Sequence, residues 1–310
     1  MKTFAIIGTG AIGGFCAFKL QEAGCDVFCL FANDYEAVKQ QGLKIISQNK
    51  ETTIRVNAYK NADDMPKCDV IIVSIKSTAN TILEEILLKV MHEDSIVVVM
   101  QNGIGIENEL SAFIQPEKII GAVSILKVTK ELPGMIKHFG FSEFEFAQFN
   151  ADEKKSGITK PVEEIAAIFK KAGFDSIAMP HLPTIRWKKL ISNIPLSGLS
   201  ILLNASTMEM VNNADSYSLL CAMTREVIDA AKKCGAQIPD DFYQHRLDRF
   251  EKFKTMEKNY PSMYGDFKSK KPLELHAIYD NAIKRALEHG MLMPMTNMLY
   301  RQLCYLNKKI

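Results

Sequence analysis

The sequence lacks any uninterrupted apolar run near the roughly 20 residues that a membrane-crossing helix needs. No transmembrane anchor is therefore expected. It also lacks an excess of either charge: 38 Lys and Arg stand against 36 Asp and Glu, a formal net charge of +2. Nothing in that balance points to a nucleic acid or an anionic membrane surface as partner. The seven cysteines form no C-x-x-C pair, and an odd number argues against a disulfide framework. Cys16, Cys25, Cys29 and Cys68 lie in apolar contexts and read as small core residues. The six histidines show no paired ligand spacing, so no metal site is expected. Internal repeats and low-complexity tracts are also missing. The first apolar stretch reads as a strand, not as the core of a signal peptide. These absences point to a reducing, cytoplasmic setting.

What is present begins at that first strand. Phe4-Ala5-Ile6-Ile7 runs directly into Gly8-Thr9-Gly10-Ala11-Ile12-Gly13, a G-x-G-x-x-G spacing, and a helical pattern follows from Phe15 to Ala23. Gly8 permits the tight turn, Gly10 lets the backbone approach a pyrophosphate, and Gly13 lets the helix pack close to the strand. The helix N-terminus offers unpaired N–H groups to phosphates. A second strand over 26–31 completes a β-α-β unit, which makes a dinucleotide site of Gly8, Thr9, Gly10, Ala11, Ile12 and Gly13 the expectation.

A chain of 310 residues with 47% hydrophobic content is long for one core, so two domains are expected. Strands and helices alternate up to about residue 180. Continuous apolar runs at 68–75 and 95–100 mark strands buried on both faces. A helix is expected over 78–90. Strands are expected over 119–126 and 135–149, the latter antiparallel, then a helix over 158–172 and a strand over 174–178. After residue 180 the strand signals vanish. Helices are expected at about 184–203, 217–234, 240–258, 274–288 and 296–306. The reading is α/β: a Rossmann-type dinucleotide-binding domain over 1–180, then an all-α domain over 181–310 for substrate and dimer contacts. In a doubly wound sheet, ligands bind outside the carboxyl ends of the strands. That gathers Gly8–Gly13, the segment 31–34, Ile75-Lys76 and Gln101-Asn102-Gly103 around one crevice, which the helical domain is expected to close.

The helical part carries Lys189, Asn193 and Ser197 at i, i+4 and i+8, on one face of a continuous helix. Pro195 interrupts that helix and offers a kink. Asn259 and Ser262 flank a proline turn, and Glu274 opens a helix, where a carboxylate is favoured. The plainer readings are solvation for the lysines and capping for Glu274.

Taken together, these pieces resemble the ketopantoate reductase family over nearly the whole chain. The resemblance rests on the N-terminal glycine motif, Val73-Ser74-Ile75-Lys76, Gln101-Asn102-Gly103-Ile104-Gly105 and Arg186-Trp187-Lys188-Lys189-Leu190…Asn193. It extends through Ser262-Met263…Asp266…Glu274 and Glu288-His289-Gly290…Pro294…Asn297-Met298-Leu299-Tyr300. It implies NADPH-dependent reduction of 2-dehydropantoate by direct hydride transfer, with Lys189 as general acid and Glu274 as organising carboxylate and cofactor contact. Asn102 would touch cofactor and substrate. Asn193, Asn259 and Ser262, with Ser197, would hold the substrate, and Asn33 and Lys76 would lie at the adenosine end. A Glu274 near Lys189 would favour the cationic lysine.

Four positions depart from the family pattern. Ala32 stands where NADPH-using members carry Arg, and a carboxylate near 33–34 would suit the ribose 2′-OH of NADH, although Lys39 and Lys76 remain for a phosphate. NADPH is the favoured cofactor, with NADH as the alternative. Ser197 and Thr207 stand where members carry Asn, and His276 replaces a carboxylate, with a surface role the plainer reading. These changes keep two alternatives in view: a reductase of another branched 2-oxo acid, and a non-catalytic NADP(H)-binding sensor. The helical region over 291–306 is compatible with core or homodimer contact.

Overall fold

The computed structural model describes residues 2–48 and 50–309. They form two compact units. One comprises the residues up to Gln101 with Ile106–Leu182, and the other Asn102–Gly105 with the residues from Pro183 onward.

The first unit is an α/β sheet of ten strands: β1 (Thr3–Ile7), β2 (Asp26–Leu30), β3 (Leu43–Ser47), β4 (Lys50–Ile54), β5 (Asn57–Tyr59), β6 (Cys68–Val73), β7 (Met91–Val99), β8 (Ile119–Leu132), β9 (Met135–Gln148) and β10 (Asp175–Ala178). They are ordered β4-β3-β9-β8-β7-β6-β1-β2-β5, with β10 on β9. Helices α1 (Ala11–Glu22), α2 (Tyr35–Gln41), α3 (Leu83–Val90), α4 (Ile106–Leu110) and α5 (Lys160–Lys171) belong to this unit. The central strands run parallel, and β8 and β9 pair antiparallel. Phe4, Ala5, Ile6 and Ile7 are at most 1% exposed, which is why a continuous apolar run, not an alternating one, forms this strand. The register aligns Ile7 with Leu30 and with Val73, and Val73 with Val99. The carboxyl ends of β1, β2, β6 and β7 therefore finish level, and the loops after them emerge along one edge. Where α5 lies on β9, Phe144, Phe146, Phe169 and Phe174 make edge-on contacts at 4.9–5.2 Å between centroids.

The second unit is helical. It contains α6 (Leu182–Leu203), α7 (Thr207–Asn212), α8 (Ala214–Lys233), α9 (Phe242–Phe253), α10 (Ser262–Lys268), α11 (Asn281–Glu288) and α12 (Pro294–Asn307). Its core gathers Trp187, Leu190, Ile191 and Ile194 of α6 with Leu220 and Val227 of α8, Phe250 of α9, Tyr279, and Leu299 and Leu303 of α12.

Several local expectations change. Three strands beyond the expected ones appear, β3, β4 and β5, each of five residues or fewer; β4 (Lys-Glu-Thr-Thr-Ile) is an exposed edge held by pairing with β3. The helix expected over 78–90 is a 3-10 segment, Ser77–Ile82, followed by α3. Cys16, Cys29 and Cys68 are buried, but Cys25 is half-buried. Pro195 does not interrupt α6, which runs on through it. The Tyr279 hydroxyl donates to the Ile194 carbonyl at 3.0 Å, binding the helix to the core beside the proline. The helix expected over 274–288 opens as a π-turn at His276–Asp280 before α11 begins.

Candidate active site

In the first unit the glycine motif builds a cradle from backbone. Gly8 has φ of +99°, a conformation that side chains disfavour. A Cβ on Gly13 would collide with the Gly8 carbonyl and the Ser74 hydroxyl, so this glycine lets α1 approach β1 and β6. Ser74 Oγ donates to the Gly8 carbonyl at 2.7 Å, and Thr9 Oγ1 donates to the Leu30 carbonyl at 3.0 Å, tying the loop to its neighbouring strand ends. A Cβ on Gly10, by contrast, would meet nothing within 4 Å. The loop therefore leaves open space at Gly10, where α1 presents its first N–H groups with no side-chain cap. A pyrophosphate fits such a space, and Gly8 through Gly13 fit a dinucleotide. Ala11, Ile12 and Gly13 form the first turn of α1. Gln101 Nε2 donates to the Ile75 carbonyl at 3.0 Å, joining the ends of β6 and β7.

After β2 and β6, Ala32, Asn33 and Lys76 are exposed. Asp34 departs from the expectation of a carboxylate reserved for a ribose. It is 5% exposed, and it accepts two bonds from Lys130 Nζ at 3.0 and 2.9 Å and one from Gly134 N–H at 3.2 Å. It serves to pin the start of α2 to the β8–β9 turn. Lys39 lies over the Tyr35 ring at 5.2 Å.

In the second unit, Lys189, Asn193 and Ser197 follow one another along a face of the unbroken α6. Lys189 and Asn193 are partly exposed and Ser197 is buried. Burial, and then the positive charges of Arg249 and Arg246, push the Lys189 ammonium down to about 8. This is the reverse of the shift that a neighbouring Glu274 was expected to produce: desolvation and two like charges set the outcome. Neither arginine stands out in the sequence. The one available signal was the 4-residue spacing to aromatic Phe250 and Phe253 on α9, where the guanidinium groups of Arg246 and Arg249 lie 5.5 and 5.6 Å from those rings.

Glu274 is 3% exposed and directly precedes the π-turn. That turn explains how Asn102 is placed. The Ile104 N–H donates to the Ala277 carbonyl at 3.0 Å, and Asn281 Nδ2 donates to the Ile104 carbonyl at 2.8 Å. Gly103, with φ of +106°, has no room for a Cβ against Ala277. The wider turn turns a helix carbonyl outward to receive the segment Asn102–Gly105. Asn259 is held by its carbonyl, which accepts from the Thr207 N–H at 3.0 Å, while its Oδ1 is buried without a hydrogen-bond partner. Ser262, the first residue of α10, is exposed. His276 lies on the surface and pairs with Asp280 at 3.0 Å. Among the described residues no cluster of His, Cys, Asp or Glu suits a metal ion, and no helix is long and apolar enough to cross a membrane.

The family models decide what this arrangement is. Residues 4–151 match the model described as ketopantoate reductase PanE/ApbA, and residues 182–305 match its C-terminal counterpart. The chain belongs to the ketopantoate reductase family. Within it, a 2-dehydropantoate 2-reductase of a Nostoc strain is 38% identical over 99% of this chain and 95% of its own length. The crystal structure of the 2-dehydropantoate 2-reductase from Geobacter metallireducens superposes with a TM-score of 0.91 at 31% identity, covering 99% of both chains. A D-mandelate dehydrogenase solved with NADH and anilino(oxo)acetate shares the fold at a TM-score of 0.88 and 19% identity, over 99% of this chain and 98% of that one. The chain is thus an oxidoreductase of the ketopantoate reductase family, α/β in its first unit and helical in its second.

Proposed function

We propose that the protein is an NADPH-dependent 2-dehydropantoate 2-reductase, producing pantoate on the route to pantothenate and coenzyme A. The sheet unit holds the dinucleotide and the helical unit the substrate. The observation that carries the reading is Lys189: a lysine brought down to about 8 by burial and two arginines is matched to proton donation near neutral pH. A nicotinamide cofactor held by the glycine loop would supply the hydride for the keto carbon. Lys189 hydrogen-bonds the keto oxygen, stabilises the charge that builds there and delivers the proton that completes the alcohol. The orphaned Oδ1 of Asn259 accepts from the substrate hydroxyl. Asn193, Ser197 and Ser262 complete the polar wall, Asn102 orients substrate against cofactor, and buried Glu274 organises the site.

The choice of NADPH is supported by Asp34, the carboxylate that would suit NADH, which is consumed by Lys130 and Gly134. In this reading Lys76 and Lys39 face the 2′-phosphate and Asn33 the ribose. A second reading, another branched 2-oxo acid as substrate, is favoured by Ser197 and Thr207, 5% and 3% exposed. A hydroxyl there cannot supply the paired donor and acceptor of an amide.

The test is a 340 nm assay with 2-dehydropantoate and with 2-oxoisovalerate, each with NADPH and with NADH. Rapid turnover confined to 2-dehydropantoate and NADPH is expected. Preference for 2-oxoisovalerate would establish the second reading, and cofactor binding without turnover of any 2-oxo acid would leave a sensor.

A further inference from the structure

The sheet unit carries a groove of about 550 Å³ between α2 and β5, lined by Tyr35 and Lys39 of α2 and by Tyr59, Lys60 and Asp64. Its place in the sheet decides what can reach it. β5 pairs parallel with β2, with Tyr59 opposite Leu30, and the Phe31 N–H donates to the Tyr59 carbonyl at 2.9 Å. The two strands therefore end level, and Lys60 leaves the sheet alongside Ala32 and Asn33. In a dinucleotide-binding sheet the residues that follow the second strand meet the 2′ position of the adenosine ribose. Here that segment reads Phe31-Ala32-Asn33-Asp34. It has no cation of its own, and its acid is already taken by Lys130 at 2.9 Å. The cations stand on either side of it instead, Lys39 on α2 and Lys60 after β5, and the same groove joins them.

The groove is held in shape by bonds to the sheet unit. Arg55 Nη1 donates to the Lys39 and Gln40 carbonyls, each at 3.0 Å, and Asn57 Nδ2 donates to the Val27 carbonyl at 3.1 Å. The Lys39 ammonium lies 5.2 Å from the centre of the Tyr35 ring. Among the described residues neither Lys39 nor Lys60 is in an ion pair, whereas Lys44 is matched by Glu51, and Lys89 by Asp63 and Glu85. The acid on the lining, Asp64, accepts from Asn61 Nδ2 at 3.4 Å. Two ammonium groups without a carboxylate, on one fixed groove, are suited to a phosphate monoester, which accepts charge-assisted hydrogen bonds from lysine.

We propose that this groove seats the 2′-phosphate of NADPH, with Lys60 as the residue that sets cofactor choice and Lys39 assisting it. The inference rests on the NADPH reading above. It adds that the discriminating cation comes from the end of β5, in place of the arginine missing at position 32.

The test is calorimetric titration of the full-length wild type, Lys60→Gln, Lys60→Arg and Lys39→Gln with NADPH and with NADH. Lys67→Gln, which removes an exposed lysine that does not line the groove, controls for a general loss of positive charge. The wild type is expected to prefer NADPH. Lys60→Gln should weaken NADPH about tenfold, as for loss of a hydrogen bond to a charged group, with NADH affinity held. Lys39→Gln should act in the same direction by about threefold, and Lys60→Arg should retain the preference. A wild type that prefers NADPH, with the same NADPH-to-NADH ratio in Lys60→Gln, overturns the groove and leaves the NADPH reading standing. Equal weakening of both cofactors in Lys60→Gln, or the same drop in Lys67→Gln, also overturns it. A wild type with no preference for NADPH removes the NADPH reading and the groove together.

Discussion

The two units prepare their ligand surfaces in opposite ways. The sheet unit does it with main chain: a left-handed Gly8, a close contact at Gly13 and a vacant shell around Gly10, all within six consecutive residues after one strand. In the helical unit the proposed site is made instead of side chains from distant points of the sequence: Lys189 on α6, Asn259 before α10 and Glu274 before a π-turn. A site of backbone amides is tolerant in chemistry and exacting in geometry. A site of side chains is the reverse: its power lies in charge and burial, and each group is perturbed by the others.

The sharpest way to break the comparison is Lys189→Ala. The helical unit's chemistry should fall by at least about 100-fold in kcat, as for loss of a general acid, with NADPH affinity intact by fluorescence titration. A near-normal kcat would remove Lys189 from its role.

The next effect is on pH. Lys189 is depressed to about 8, so it is an ammonium below that pH and neutral above it. Reduction, which consumes its proton, should be level on the acid side and fall about tenfold per pH unit above the pKa. Oxidation of the hydroxy acid should rise over the same range. The profile of kcat/KM checks this. Arg246→Gln removes one of the two charges that depress the lysine, so its limb should move to higher pH. A limb that stays in place would mean that Arg246 does not act on Lys189.

The two glycines separate geometry from binding within the sheet unit. Gly13→Ala puts a Cβ against the Gly8 carbonyl and Ser74. It should cost about 1–3 kcal/mol of stability by overpacking, read from denaturant unfolding. Gly10→Ala meets no protein atom, so its stability should hold while NADPH affinity drops about tenfold, a loss of about 1.4 kcal/mol. Equal destabilisation by both would erase the distinction.

The smallest effect is expected at Ala32→Arg. An exposed charge contributes at most about 1 kcal/mol, so NADPH should tighten by about fivefold or less, with NADH unchanged. An unchanged NADPH affinity would place the 2′-phosphate away from this loop.

These contrasts also explain what was legible beforehand. The Rossmann-type sheet was readable because its strands are continuous apolar runs and its turn chemistry is local. β3, β4 and β5 were not: β4 and β5 are short and largely exposed or half-exposed, and β3 joins the sheet through β9, about ninety residues away. Lys189, Asn193 and Ser197 were readable as one helical face. Pro195 misled, because its local cost is absorbed by core packing of α6, whose Ile191, Ile194 and Leu199 are buried on both sides of it. Asp34 misled because the groups that occupy it, Lys130 and Gly134, are about a hundred residues away. The π-turn left no periodic signature, since its cause is the contact with Asn102–Gly105.

The sequence by itself determined the glycine-rich loop after β1, the buried central strands and the helical second half, and the polar residues proposed for the reductase site. These follow from backbone sterics, hydrophobic period and spacing, all of which act within a few residues. Only the tertiary structure decided the charge state of that set. It set the half-buried Lys189 under the charges of Arg249 and Arg246, consumed Asp34 in a lysine contact and left Arg246 Nε without an acceptor. Burial and Coulomb interaction act through space between residues that the chain keeps far apart.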